Sequence, residues 1–397
     1  MGKYIVIISS SFPPEKGAAP TRVYNLAHML QERGCRVEVI TAMPNYPTGR
    51  IFPGYRGKLR HSETTDGVTV YRTWIYPSNS KNIFKRIASI ATHGLSLCSF
   101  TLPRLIRRKP DLVIVNTPPF LTGYVSMWLA RIAGRKALLN ISDLWPLSVQ
   151  ELGVIKPGRF YSFLERLEKS MYRKATAFAG QSAAILTHVH DTNGQAKKTF
   201  LYRNLQELSV YADQPRPSGQ RKIVYAGLLG IAQGVYDICR NIDFGALGAS
   251  FHIYGDGNEK EQILALIAQQ PERNIFYHGS VPAQDIPEVL SNYHTTLIPL
   301  RTEIRGALPS KVFMAIANGL PALYCGGGEG ACIVQDNNIG WVSPPGDHTQ
   351  LADNIRAMVQ MDDERYNAMR QRCLALAKSS FNKQVQDEAF FDFIASI

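Results

Sequence analysis

An α/β architecture with two parallel-sheet domains is predicted by three features of the sequence. Short apolar runs of β type alternate with stretches of helical period, the pattern of parallel strands joined through helices. That pattern lapses after residue 205 and starts again at residue 221. The 397 residues are 45% hydrophobic and 19% charged, enough for two cores, which excludes disordered, collagen-like and small disulfide-stapled classes.

The elements follow in order. Residues 4–8 are apolar and lead into Ser9, Ser10 and Ser11 with no cleavage-site pattern, so a first strand is expected and not a signal peptide. Further strands are predicted at 37–41, 68–73, 112–116, 137–141 and 176–180, with helices such as 21–33, 121–133 and 160–173 between them. Pro- and Gly-containing residues 211–220 break the periodicity and mark a linker. Strands resume at 222–226, 250–254, 275–278, 295–300 and 322–324, separated by helices such as 259–270 and 311–317. Beyond residue 381, Val385, Ala389, Phe390, Phe393 and Ile394 recur at helical spacing with no further strand to cover. The expected organisation is a first domain over 1–205, a linker over 206–220, a second domain over 221–380, and a helix over 381–397 that returns to the first domain.

Charge is unevenly spread. Residues 1–200 carry 28 Lys and Arg against 11 Asp and Glu, and residues 201–397 carry 16 against 21. A basic half suggests an anionic partner. From 82 to 109, Ile83, Ile87, Ile90, Ala91, Leu95, Cys98, Leu102, Leu105 and Ile106 form a helical stripe. Lys81, Lys85, Arg86, Arg104, Arg107, Arg108 and Lys109 cluster at its ends. The stripe fits either an anionic membrane surface or an ordinary core helix with solvated ends. No nucleic-acid motif is present, so nucleic acid is not expected as a partner. No apolar run is long enough to span a bilayer. The six cysteines form no C-x-x-C pair and are expected as reduced packing residues in a cytosol, and no histidine spacing supports a metal site.

Several strand-to-helix loops could carry chemistry. In the first, Gly17 with Ala18 and Ala19 lets backbone approach a phosphate at a helix start, although the segment also reads as a proline-stiffened surface loop. Gly227, Gly230 and Gly234 form the equivalent loop of the second domain, and Gly255 and Gly257 follow the next strand. Arg305 and Lys311 could neutralise a pyrophosphate at a helix whose N-cap is expected at Ser310, or be two solvated cations. Asp143 could hydrogen-bond or deprotonate a sugar hydroxyl and Trp145 could stack on a sugar face; an ordinary N-cap is the plain alternative for Asp143. Such loops at the carboxyl ends of two sheets would meet a ligand in a cleft.

Taken in order, Phe12-Pro-Pro-Glu15, Asn45-Tyr-Pro-Thr-Gly-Arg50, Asp66-Gly-Val68, Asp143-Leu-Trp-Pro146, Ala226 to Gly234, Gly255-Asp-Gly257, Pro309-Ser-Lys311 and Pro344-Pro-Gly-Asp347 resemble the family 4 glycosyltransferases of GT-B fold. The likeness is to the fucosaminyltransferase-like branch that builds bacterial surface polysaccharides such as O-antigen and capsule. It implies a retaining transferase with no bound cofactor or metal. The donor would be a nucleoside diphosphate sugar, expected to be a UDP-sugar. The acceptor would be a glycan or lipid-linked intermediate, met at the inner face of the plasma membrane. The resemblance puts Asp143 beside the reacting sugar. It puts Gly17, Gly227, Gly230, Gln233, Gly234, Gly255, Gly279, Ser280, Arg305, Ser310 and Lys311 at the donor, and Glu15, Asn45 and Trp145 at the acceptor.

The chain departs from the family pattern at several places. Leu228 and Gln233 stand where Arg and Lys are common, and Ser142 precedes the Asp of the D-L-W-P motif in place of a basic residue. The E-x7-E pair falls on Gly306 and Met314, and Glu303 and Glu329 do not restore its spacing. A catalytically degenerate subunit that docks a membrane or a partner is the competing expectation. A sugar-nucleotide epimerase on the same architecture is a third.

Overall fold

The computed structural model describes residues 2–46, 48–78 and 83–397, and only the backbone of residues 83, 84, 86 and 87. Lys81 and Asn82 of the cation-flanked stripe, and Pro47 of the Asn45 motif, lie outside the described residues. The chain forms two compact units, Met1–Arg203 with Asp387–Ile397, and Asn204–Gln386.

In the first unit, β1 (Tyr4–Ile8), β2 (Arg36–Ala42), β3 (Arg60–Thr65), β4 (Val68–Thr73), β5 (Leu112–Thr117), β6 (Ala137–Ile141), β7 (Ala177–Gly180) and β8 (Lys198–Leu201) form one sheet in the order β3-β4-β2-β1-β5-β6-β7-β8. Every pairing is parallel except β3 with β4. The central β1 and β5 are runs of Val and Ile because both faces of the sheet are covered. On one face, helices Ile83–Arg108, Phe120–Ile132 and Arg159–Lys174 contribute Leu97, Leu105, Met127 and Met171, which pack on Val6, Val113 and Leu139. On the other, helix Ala18–Glu32 and the returning helix Lys383–Ala395 bring Val23, Leu26, Phe390 and Ile394 against Ile5, Ile7 and Val37.

The second unit holds β9 (Arg221–Ala226), β10 (Ala249–Tyr254), β11 (Ile275–Tyr277), β12 (Thr295–Pro299), β13 (Ala322–Cys325) and β14 (Gly340–Ser343), all parallel, in the order β11-β10-β9-β12-β13-β14. Two predominantly parallel sheets, each with its own core, are the α/β architecture expected from the sequence. Strands β3, β8 and β14 were not anticipated. All three are sheet edges, and their sequences lack the continuous apolar run that burial on both faces imposes. Residues 206–220 contain no helix or strand, but they are held to the second unit: Arg370 Nη2 donates to the carbonyls of Ala212 and Gln214, each at 2.9 Å.

Two expectations are corrected at individual residues. Of the stripe on helix Ile83–Arg108, Leu105 is buried in the sheet core and Leu102 packs against it, whereas Leu95, Cys98 and Ile106 are exposed; Arg104, one of the flanking cations, is used inside the fold. Its Nη2 lies 2.8 Å from the buried Glu38 carboxylate, and its guanidinium stacks 3.8 Å above the Tyr71 ring. A cation spent in this way is not offered to lipid. Of the cysteines, Cys98 and Cys332 are exposed and are not packing residues, whereas Cys35, Cys239, Cys325 and Cys373 are buried.

Each sheet reverses its strand order once, between β1 and β5 in the first unit and between β9 and β12 in the second. The chains leaving such a neighbouring pair diverge to opposite faces, which opens a crevice at the carboxyl ends of the strands.

Candidate active site

Three loops meet at the β9–β12 crevice of the second unit, and they pack backbone on backbone. Gly227 N–H donates to Tyr254 O at 2.9 Å, Leu229 N–H to Asp256 O at 2.9 Å, and Gly255 N–H to Gly279 O at 2.8 Å. Gly255 has φ +151°, and a Cβ there would stand 1.8 Å from Gly227 O. Only glycine fits this approach. A Cβ on Gly227 would stand 2.6 Å from Lys311 Nζ, so the first glycine of the loop clears room for that ammonium.

Lys311 reaches the crevice from the other side, in the first turn of helix Ser310–Ala317 after β12. Its Nζ lies 4.5 Å from the centroid of the Tyr225 ring and donates to Tyr225 Oη at 3.3 Å. It has no carboxylate partner among the described residues, and burial lowers its pKa to about 8. A desolvated cation without a counter-ion, at a helix start where the dipole favours anions, is matched to a negatively charged ligand. Ser310 is the first helical residue and Pro309 takes the N-cap with no side-chain cap bond, which corrects the expected cap. The Ser310 and Lys311 amides therefore face out of the helix start.

The remaining donor candidates are placed less centrally. Gly230 and Gly234 shape the loop: Gly234, at φ +64°, caps helix Val235–Asn241. That helix start is already served, because the buried Glu259 carboxylate accepts from Tyr236 N–H at 3.1 Å. Gln233 and Gly234, with Asp237, Arg301, Asp347 and His348, line a cavity of about 210 Å³. Arg305 and Ser280 are exposed, and Gly279 holds Gly255 through its carbonyl. Met314 packs with Tyr254, Leu290, Tyr293 and Leu320 in an apolar cluster. The Glu303 carboxylate lies against Gly327, where a Cβ would stand 2.2 Å from its Oε2, so it serves another loop.

In the first unit the loop after β1 is fastened to the segment after β2. Glu15 is buried, and its Oε1 accepts from the amides of Asn45 at 2.8 Å and Tyr46 at 2.9 Å. Burial pushes the Glu15 carboxyl above its ordinary value, against the opposing pull of those amides and of Arg72. Gly17, at φ +132°, precedes helix Ala18–Glu32 with Tyr46 Cε1 4.0 Å from where its Cβ would be. Thus Glu15, Gly17 and Asn45 are brought together. Asp143 follows β6, half-buried, with Ser148 Oγ donating to its Oδ2 at 3.3 Å; burial raises its pKa. Trp145 has one ring face stacked on Phe120 at 4.4 Å.

Two residues were not singled out from the sequence. Tyr225 is hidden in an apolar strand, and only the fold shows its hydroxyl beside Lys311. Arg22, one turn into helix Ala18–Glu32, is half-buried, and burial lowers its pKa to about 10. Its position beyond Gly17 was the available signal.

Comparison with known proteins covers most of the chain. Residues 17–204 match the glycosyl transferase 4-like domain, and residues 220–361 match the glycosyl transferases group 1 domain. A curated relative is WcaI of Escherichia coli K12, named for glycosyl transfer in colanic acid biosynthesis. It is 23% identical over 335 residues, 79% of this chain and 81% of WcaI. Among solved structures, sucrose-phosphate synthase of Thermosynechococcus elongatus superposes with TM-score 0.76 at 14% identity, covering 99% of this chain and 98% of that one. HepE of Anabaena, solved in complex with UDP-glucose, superposes with TM-score 0.70 at 14% identity, covering 100% of both chains.

Proposed function

We propose, from the premise that this chain belongs to the family 4 glycosyltransferases of GT-B fold, that it transfers a sugar from a nucleoside diphosphate sugar to an intermediate of bacterial surface-polysaccharide synthesis. The observation that carries the donor half is Lys311, a desolvated ammonium with no carboxylate partner among the described residues, set against Gly227 at a helix start in the β9–β12 crevice. A diphosphate lying there would meet that ammonium together with the Ser310 and Lys311 amides. In the reaction these groups bind the charge that develops as the diphosphate leaves, and the counter-charge comes from the chain itself without a resident metal. The UDP-glucose bound by HepE supports uridine as the base.

In the first unit, Asp143 is proposed to hydrogen-bond the transferred sugar, with transfer in the retaining mode of the family. Glu15 acts through the Asn45 and Tyr46 amides to set the acceptor-side loop, and the exposed edge of Trp145 offers an apolar surface to a glycan. The acceptor is taken to be a glycan or lipid-linked intermediate at the inner membrane face.

A melting-temperature screen of the purified protein against nucleoside diphosphates and their sugar conjugates tests this, read together with release of free diphosphate. Stabilisation by uridine diphosphate, with an affinity at least about tenfold weaker in Lys311→Ala, is expected; equal affinity of the two proteins rejects the site. The packing of Met314 in an apolar cluster favours one second reading, a degenerate subunit. No nucleotide stabilisation and no diphosphate release would establish that reading in place of the first.

A further inference from the structure

The connection from β6 to β7 passes through a short helix, Leu147–Glu151, a loop, and helix Arg159–Lys174. Because β6 and β7 are parallel, this helix begins at the carboxyl edge of the sheet, the edge that carries Asp143 and Trp145. Its buried face consists of Leu164, Glu168, Met171 and Tyr172. Phe160 lies one turn before Leu164 on the same stripe, yet it is 63% exposed. Phe163 is 50% exposed, and in the preceding loop Leu152 and Val154 are 50% and 69% exposed.

Four large apolar side chains presented within residues 152–163 are more than the scattered single exposures of an ordinary surface. Their surroundings are cationic: Lys156, Arg159, Arg166 and Lys169 are exposed, against the acids Glu151 and Glu165. We propose that residues 152–163 are the membrane-docking element of this protein, with an anionic phospholipid surface as the occupant. Apolar tips would enter the boundary between headgroups and acyl chains while the cations pair with lipid phosphates. A second copy of the chain is disfavoured as occupant, since a two-fold contact through this patch would bring Lys156 and Arg159 towards the same cations of the other copy. The surface lies on a different element from the stripe of helix Ile83–Arg108, whose Leu105 is in the core.

The location gives docking a purpose: an acceptor anchored in the bilayer would be presented at the edge that holds Asp143. That purpose rests on the transferase reading, but the surface is tested without turnover. The experiment is co-sedimentation of the full chain with vesicles of phosphatidylglycerol and phosphatidylcholine, and with phosphatidylcholine alone. Binding to the anionic vesicles is expected to fall at least about fivefold in the pair Phe160→Ser with Phe163→Ser, and likewise in Lys156→Glu with Arg159→Glu. Both pairs should melt like the unmodified protein, since all four residues are exposed. Arg107→Glu with Arg108→Glu should leave binding within about twofold. Wild-type protein that stays in the supernatant, or paired variants that bind like wild type, would overturn the proposal. So would a dimer in sedimentation equilibrium that the Phe160 and Phe163 changes dissociate, because the patch would then belong to a second copy. Diphosphate release with a water-soluble acceptor, measured on the same variants, should be unchanged; its absence in wild type counts against the transferase reading and leaves the vesicle result standing.

Discussion

Lys311 carries the sharpest consequence among single residues. Its ammonium is stripped of water with no carboxylate among the described residues to compensate, and its pKa falls to about 8. A bound diphosphate would restore the charged form, so binding above pH 8 should take up a proton. Affinity for uridine diphosphate is therefore expected to fall as the pH rises through 8 towards 9. Calorimetry at pH 8.5 in buffers of different ionisation enthalpy should show uptake that Lys311→Met abolishes. Asp143 makes a separate case. Asp143→Asn should keep nucleotide affinity and lower sugar transfer by about 10²-fold or more, measured as product formed per enzyme; full activity would remove it from the reaction. The Pro309-Ser-Lys311 motif marked the lysine in the sequence. The ring beneath it did not stand out, because Tyr225 occupies a strand position whose neighbours become known only when β9 and β12 lie side by side.

At the scale of elements, the second unit's crevice depends on loops that touch through backbone atoms. In Gly255→Ala the new methyl carbon would fall 1.8 Å from Gly227 O at a φ that side chains avoid, so the two loops must part. A loss of about 1–3 kcal/mol is expected in denaturant unfolding, together with loss of nucleotide binding. Unchanged stability would show that the loops yield freely. Central strands were legible because burial on both faces demands apolar runs, and helices because their stripes match one face. The edge strands β3, β8 and β14 were not, since half of their surroundings impose no composition. The long helix after β4 shows the limit of pattern alone. Its cations look identical in sequence, and only the fold separates Arg104, paired with Glu38, from the rest.

At the scale of the whole molecule, the first unit is assembled from two separated stretches of chain. Phe390 and Ile394 are fully buried in its core, Phe390 stacks on Tyr202 at 4.1 Å, and Lys3 Nζ donates to Ile394 O at 2.8 Å. Phe390→Ala should cost about 3–5 kcal/mol, read by chemical denaturation of the first unit, with the nucleotide-dependent melting of the second unit retained. Equal loss in both units would contradict their separate cores. The division of charge fits the same plan, with the basic half containing the proposed lipid-facing segment and the mildly acidic half containing the half-buried Lys311.

The return of residues 387–397 also orders events during translation. The hydrophobic interior that starts with Ile5 stays open until the ribosome has passed residue 394, while the intervening segment is free to fold as soon as it emerges. A chain truncated before residue 387 would thus carry a finished second unit and an unsealed first unit, a species that chaperones and proteases would recognise by its greasy opening.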